Sequence, residues 1–317
     1  MLVGCIHEFP IRGLSPRPGN DPTVVNTIVE IHFELPYQYI DKEISFSSRA
    51  RTDNPHRFII EVSHEGKIDC RDIVYISDRE FSSGLLKHTL STPLRPDKYY
   101  ITAWYDLQDD EGEHAFDAEN FSDIKLVNTS STDSEIMRCL YGRDFLDIRE
   151  SLSEDGTNRA IKILEMKSPG ARFEIIATDV VRFITLNKDA LNQRDKFTTH
   201  LLLTGGGTLD FNSYNETPVF SAQSPEFTGR MRLPFDEYDE LTIAEGFIFC
   251  LDEDEASMIL TVKNSALINV SRTEPFYFPV KRGYLTRIRG EFLTNAIDGV
   301  FDIDHIWEGE IIKDITE

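Results

Sequence analysis

Lys281-Arg282-Gly283-Tyr284-Leu285-Thr286-Arg287-Ile288-Arg289-Gly290-Glu291-Phe292-Leu293-Thr294, followed at a short interval by Gly299-Val300-Phe301-Asp302-Ile303-Asp304, decides the fold reading. It reads as two β-strands joined by a short polar turn. In the second, Phe301 and Ile303 alternate with Asp302 and Asp304, which puts apolar side chains on one sheet face and carboxylates on the other.

The same period recurs outward from there. Val29, Ile31, Phe33 and Leu35 alternate with Glu30, His32 and Glu34, a half-buried strand with His32 on its polar face. Phe58, Ile60 and Val62 alternate and stop at Gly66. Ile73–Ile76 and Tyr99–Tyr105 are β-rich, and Pro93 and Pro96 bracket the turn before the latter. Ile161–Thr178 holds two strand-like runs broken by Ser168-Pro169-Gly170, and Leu201–Leu203 stops at Gly205-Gly206-Gly207. Phe247–Leu251 and Met258–Val262 flank Asp252-Glu253-Asp254-Glu255 and predict a hairpin with an acidic tip. Val180–Leu191 is the helix candidate of this half, with Asp179 placed to cap it. Many short strands with polar turns and minor helix predict an all-β protein of two tandem antiparallel β-sandwich domains. Residues 1–22, with four prolines, read as an extended tether. The domains are expected at 23–157 and 158–317, divided at Ser153–Asn158.

Of the 317 residues, 40% are apolar and 11% aromatic, enough to fill real cores. A net charge of −22 repels nucleic acid and anionic membrane, so no nucleic-acid partner is expected. No run of about 20 apolar residues is present to span a membrane as a helix. Cys70, Cys139 and Cys250 have no CxxC or metal-finger spacing and read as small buried apolar residues, with one disulfide among them left open. Leu2-Val3-Gly4-Cys5 matches the site at which bacterial lipoprotein signals are cut, and the expectation is a lipid on Cys5. The basic segment and apolar run of a full signal do not precede it in this sequence.

Catalytic and ligand chemistry leaves little trace. The glycine triplet lacks the Lys-Ser/Thr of a P-loop, and there is no Gly-x-Ser-x-Gly elbow or HExxH. Asp302, Asp304 and His305 read as solvated strand residues rather than a metal or acid/base set. Asp106, Asp109, Asp110, Glu111 and Glu113 supply oxygens for Ca²⁺ without EF-hand spacing. Trp104 is the side chain a glycan binder would use, although it alternates with Tyr105 so that one of the two faces inward. A non-enzyme without cofactor or metal is expected.

Four stretches in order carry a family resemblance. Pro96–Asp106 is similar to a Tyr/Trp/Asp-containing strand late in the first domain of the fimbrillin-like surface proteins of Bacteroidota. Arg143-Asp144-Phe145 is similar to a short segment before their crossover. Met166–Asp179 is similar to the Pro-containing strand that opens their second domain, and Lys281–Asp304 resembles their closing hairpin. Asp97, Ser168 and Gly170 depart from the family pattern.

The resemblance implies two transthyretin-like β-sandwiches, export as a lipoprotein, and residence on the outer membrane and cell surface. It implies assembly with other fimbrial subunits by strand exchange after trimming at an arginine, for which Arg12 and Arg17 are nearest. Little chain follows Gly309–Ile315, which favours an anchor, tip or accessory subunit over a stalk pilin. The competing expectation is a non-polymerising surface lipoprotein that binds a glycan or host protein through its loops. The first reading predicts a removable strand near Val24–Leu35. The second predicts an inseparable one and an exposed aromatic platform.

Overall fold

The structure is a computed structural model that describes residues 23–33, 55–109, 112–130, 134–152, 158–187, 197–221, 224–231, 233, 240–294 and 306–307. The all-β expectation holds: strands dominate, and the described residues include two short α-helices, α1 (Asp78–Phe81) and α2 (Val180–Leu186).

Two sheets enclose the first core. One has the order β3 (Lys67–Ile76), β2 (His56–His64), β5 (Lys98–Leu107), β8 (Cys139–Asp147), all antiparallel. The β2–β3 turn carries Glu65 and Gly66 at φ 49° and 77°, the conformation that follows the right-handed twist of a tight hairpin. The other sheet is β4 (Leu85–Thr89), β1 (Asn26–Phe33), β9 (Arg159–Met166). Val29, Ile31, Phe33, Phe58, Ile60, Val62 and Tyr105 fill the space between.

The second core lies between a sheet of order β15 (Leu241–Phe249), β10 (Gly170–Ala177), β19 (Leu285–Gly290), β20 (Ile306–Trp307) and one of order β14 (Glu226–Met231), β11 (Phe197–Gly205), β16 (Glu253–Lys263), β17 (Asn269–Arg272). Strand β18 (Phe276–Lys281) also pairs with β16. A small sheet joins the halves: β6 (Phe116–Asp117) and β7 (Ile124–Leu126) come from between β5 and β8, while β12 (Asp210–Asn212) and β13 (Thr217–Val219) follow β11. Beneath it Trp104 meets Phe116 at 5.4 Å and Phe211 stacks on Phe249 at 5.2 Å, so side chains of both halves share the second core. This is why β5 is buried on both faces from Ile101 onward. Tyr105 enters the first core and Trp104 the second.

Three local expectations are corrected. β15 and β16 form no hairpin: β15 pairs with β10, β16 with β11, and Leu251-Asp252 carries the chain from one sheet to the other. Arg282 holds that crossing by donating from Nε to the Cys250 carbonyl (2.8 Å). The acidic residues Glu253–Glu255 are strand residues, with Glu253 opposite Lys281. Asp179 sits at the N-cap of α2, but its side chain makes no cap hydrogen bond. Its buried carboxylate accepts from the backbone N–H groups of Leu293 (3.0 Å) and Thr294 (2.6 Å) and from the Thr294 hydroxyl (2.7 Å), tying the chain after β19 to the start of the helix. In the deciding stretch, β19 is followed by a turn at Glu291–Thr294 and pairs antiparallel with β20, while 299–304 lie outside the described residues.

The break at Ser168-Pro169-Gly170 is another sheet crossing. β9, which lies beyond the expected 157 division, is hydrogen-bonded to β1, and β10 begins the second core. Gly170 is required there, because a Cβ would collide with the Ile248 carbonyl. Gly206 is required too: its φ is +72° and a Cβ would strike the Glu255 carbonyl, so the glycine triplet packs strands rather than cradling phosphate. Cys70, Cys139 and Cys250 are free and buried, and burial pushes the Cys250 thiol up to about 12.

Candidate functional site

The feature that stands out is the seat of β1. The strand runs antiparallel to β4 from Ile28↔Thr89 to His32↔Leu85, and parallel to β9 from Asn26↔Arg159 to Phe33↔Met166. The first described strand is therefore interior to its sheet, with main-chain partners on both sides. The ladder extends past its ends. Val25 and Leu94 exchange both hydrogen bonds (2.7 and 3.0 Å), Asn26 N donates to Asn158 O (3.0 Å), the Asn158 side-chain amide donates to Val24 O (3.0 Å), and Phe33 N donates to Gly84 O (3.1 Å).

Side chains obey period two. Val25, Thr27, Val29 and Ile31 are fully buried and Phe33 nearly so. Phe33 stacks on Phe81 of α1 at 4.8 Å and tilts against Phe58 at 5.3 Å. Phe81 is fixed in turn by the His56 ring 3.9 Å above it, whose nitrogens reach the Tyr105 hydroxyl (3.0 Å) and Asp78 (2.8 Å). Burying four large apolar side chains at about 1.5–3 kcal/mol each gives a gross contribution on the order of 6–12 kcal/mol for this strand. Thr27 is the misfit, since its hydroxyl is buried without a partner. On the outer face Glu30 pairs with Lys87, and His32 lies half-exposed, 3.9 Å from Glu165, as its polar-face reading requires.

The open margins between the two sheets are closed by charge. At one margin Asp72 of β3 accepts from His88 (2.8 Å) and from the Ser91 backbone (2.9 Å) and hydroxyl. Burial pushes the Asp72 carboxyl up, but the Ser91 and His88 hydrogen bonds outweigh it and hold it below the usual carboxylate range. At the other margin Lys162 of β9 pairs with Asp144 of β8, and Tyr141 and Lys167 exchange backbone hydrogen bonds at 2.8 Å. Charges at sheet margins discourage pairing with foreign strands. Cys70, Asp72, His88 and Ser91 superficially suggest nucleophilic chemistry. Ser91 donates to Asp72 rather than to His88, so no base is set to activate it.

Several predicted positions lie elsewhere. Cys5, Arg12 and Arg17, the C-terminal Asp302, Asp304 and His305, and Gly309–Ile315 are outside the described residues. Asp106 is claimed by a buried bidentate pair with Arg57 (2.8 and 2.6 Å) and by the Trp104 indole N–H (3.0 Å), so it is a structural anion rather than a calcium ligand. Asp110 and Glu111 lie outside the described residues. Among the described residues no group of three or more His, Cys, Asp or Glu side chains is placed to hold a metal ion. Trp104 is wholly buried and unavailable to a ligand. The sequence reading missed β9 as the partner of β1, because a parallel pair separated by more than a hundred residues leaves no local signature. It also missed the exposed rings of Tyr100 and Phe145.

Residues 22–317 match the family model of a family of unknown function, DUF6562. A comparison with curated proteins gives no match. Solved structures to which this chain is similar include a fimbrial anchor protein and candidate adhesins of Bacteroidota. A candidate cell adhesion protein from Bacteroides ovatus is 11% identical, with a TM-score of 0.44 over 92% of this chain and 99% of that one. The fimbrial anchor protein Mfa2 from Porphyromonas gingivalis is 12% identical, with a TM-score of 0.40 over 83% and 90%. A candidate adhesin from Bacteroides ovatus is 12% identical, with a TM-score of 0.40 over 88% of each chain. At these identities and scores no function is transferred from them.

Proposed function

This chain belongs to the DUF6562 family, and we propose that it is a non-enzymatic cell-surface structural or accessory subunit, of anchor or tip type, in a fimbria-like assembly. It engages other subunits by β-strand exchange at the seat of β1. The observation that carries this reading is that β1 is sheet-interior, apolar at every inward position but Thr27, and followed by a long connection to β2. Any extended segment with apolar residues at the same alternate positions can make the same ladder. Two tandem transthyretin-like sandwiches fit the paired sheets, with the division drawn at Ser168–Gly170. A lipid on Cys5 would hold the chain to the outer membrane.

Arg12 and Arg17 take a definite place in this reading. Both precede β1, so a cut after either leaves the strand joined to β2. Freeing β1 takes a cut between Phe33 and His56, an interval that contains Arg49 and Arg51. Trimming at Arg12 or Arg17 alone would detach the lipid and leave the seat filled, so exchange at this seat needs the second cut.

The test is exchange in trans. A protease site is placed between Phe33 and His56, the chain is cut, and a labelled peptide of residues 23–34 is added in excess. The label should enter the protein and displace native β1. A peptide shifted by one residue, which would put Glu30 and His32 inward, should not enter. No uptake of the native peptide under conditions where the cut protein stays folded would overturn the reading. A pair of exposed aromatic rings on the first half, Tyr100 and Phe145, supports glycan binding as a second reading that does not exclude the first.

A further inference from the structure

The outer face of the β2–β5–β8 sheet has two zones. Register puts Trp104 opposite Tyr141, Thr102 opposite Arg143, Tyr100 opposite Phe145 and Lys98 opposite Asp147, all on one face. The zone holding Trp104 and Tyr141 lies under the small sheet and is buried. That cover ends at Tyr214, in the turn between β12 and β13, and beyond it Tyr100 and Phe145 are 47% and 40% exposed. Their rings meet edge-on with centroids 5.7 Å apart.

The pair is braced. The Arg143 guanidinium sits 4.6 Å from the Tyr100 ring centroid and 5.4 Å from that of Tyr214, and donates to the Tyr214 carbonyl. Lys98 Nζ lies 5.8 Å from the Phe145 ring centroid. Among the described residues neither cation has a carboxylate within ion-pair distance. Asp147 beside Lys98 is claimed by Arg149 at 2.6 and 2.9 Å. The cations therefore stiffen the rings, and the Tyr100 hydroxyl has no partner among the described residues.

We propose that Tyr100, Phe145 and the Arg143-braced edge at Tyr214 form a binding platform for an uncharged polysaccharide. The aliphatic C–H faces of sugar rings would lie against Tyr100 and Phe145, and sugar hydroxyls would bond to Tyr100, Lys98 and Asp147. Three features choose this occupant. Tyr100 lies on β5, which is paired on both sides, so a peptide over that ring would forgo its backbone hydrogen bonds, while Phe145 lies on β8 at the sheet edge. A chain of net charge −22 repels polyanions. Rigid, half-exposed aromatic rings offer contact area at low entropic cost, which suits a weakly hydrophobic, hydroxyl-rich ligand. The platform lies on the sheet opposite the β1 seat, so the two readings stand or fall separately.

The test is native affinity electrophoresis of the full chain in gels containing xyloglucan, galactomannan, arabinoxylan or dextran, with polygalacturonate as the polyanion. We expect retardation by at least one neutral polymer and none by polygalacturonate. Phe145→Ala and Tyr100→Ala should each weaken the retardation at least tenfold, and Phe145→Glu should abolish it. Tyr277→Ala, which removes a 56%-exposed ring on the other half, should leave it unchanged. Two ring variants guard against loss of fold in either. No retardation by any neutral polymer, retardation by polygalacturonate alone, or retardation that survives both ring substitutions would overturn the proposal.

Discussion

β1 and β10 occupy the same place in their respective halves. Each opens its half, each is interior to a sheet, and each pairs antiparallel on one side and parallel on the other: β1 with β4 and β9, β10 with β15 and β19. Both bury alternate apolar residues, Val29 and Ile31 in one, Phe173 and Ile175 in the other. They differ in how they are tied. β10 is joined at once to β9 through Ser168-Pro169 and to α2 through Thr178-Asp179, and its first residue, Gly170, is wedged against the Ile248 carbonyl. β1 is bonded at its start to Asn158 and Leu94 and at its end to Gly84, and residues 34–54, between it and β2, lie outside the described residues. The two strands are buried alike, and on the proposed strand-exchange reading β1 is the one open to replacement and β10 the one that stays.

The strongest way to break the comparison is to put a charge in each seat. Val29→Asp and Ile175→Asp each bury an unpaired carboxylate and should each cost more than about 4 kcal/mol. An excess of wild-type 23–34 peptide should restore the first variant in thermal melts. No β10 peptide should restore the second, and equal rescue would erase the distinction. Next comes the joint between the halves. Asp106→Asn leaves Arg57 buried without its counter-ion and should cost about 3–5 kcal/mol, lowering the denaturant midpoint of both halves together because Trp104 and its neighbours belong to a shared core.

Smaller effects sharpen the account. The Asp72 carboxyl is held below its ordinary range when folded, so its contribution is complete above the unfolded value near 4 and is lost as pH falls through the lower folded value. Acid unfolding of the first half should therefore steepen below about pH 4, and Asp72→Asn should flatten that limb of the pH profile. Smallest of all, Thr27→Val removes a buried hydroxyl without a partner and should raise stability by about 1 kcal/mol. In a labelled 23–34 peptide the same change should favour uptake.

How far the sequence could be read follows from which contacts are local. The alternation in β1, in β2 and within Ile161–Thr178 is visible because one face of each element is apolar. Trp104 and Tyr105 could not be assigned, since the residue expected to face water enters the second core through strands that begin about a hundred residues later. Asp252–Glu255 looked like a turn because four carboxylates in a row suit solvent, yet Glu253 is held opposite Lys281 by a strand the sequence does not mark as its partner. Asp179 carried the composition of a cap and serves as an anchor for Leu293 and Thr294 instead, a contact across more than a hundred residues. The seat of β1 was half legible: its own pattern showed, and its parallel partner β9 did not.

Amide hydrogen exchange on the intact chain, followed peptide by peptide, tests the central claim most directly. If β1 is the replaceable strand, its amides should exchange at least tenfold faster than those of β10, through an opening that leaves β2 and β5 protected. Equal protection of β1 and β10, with both lost only when the whole molecule unfolds, would contradict the account.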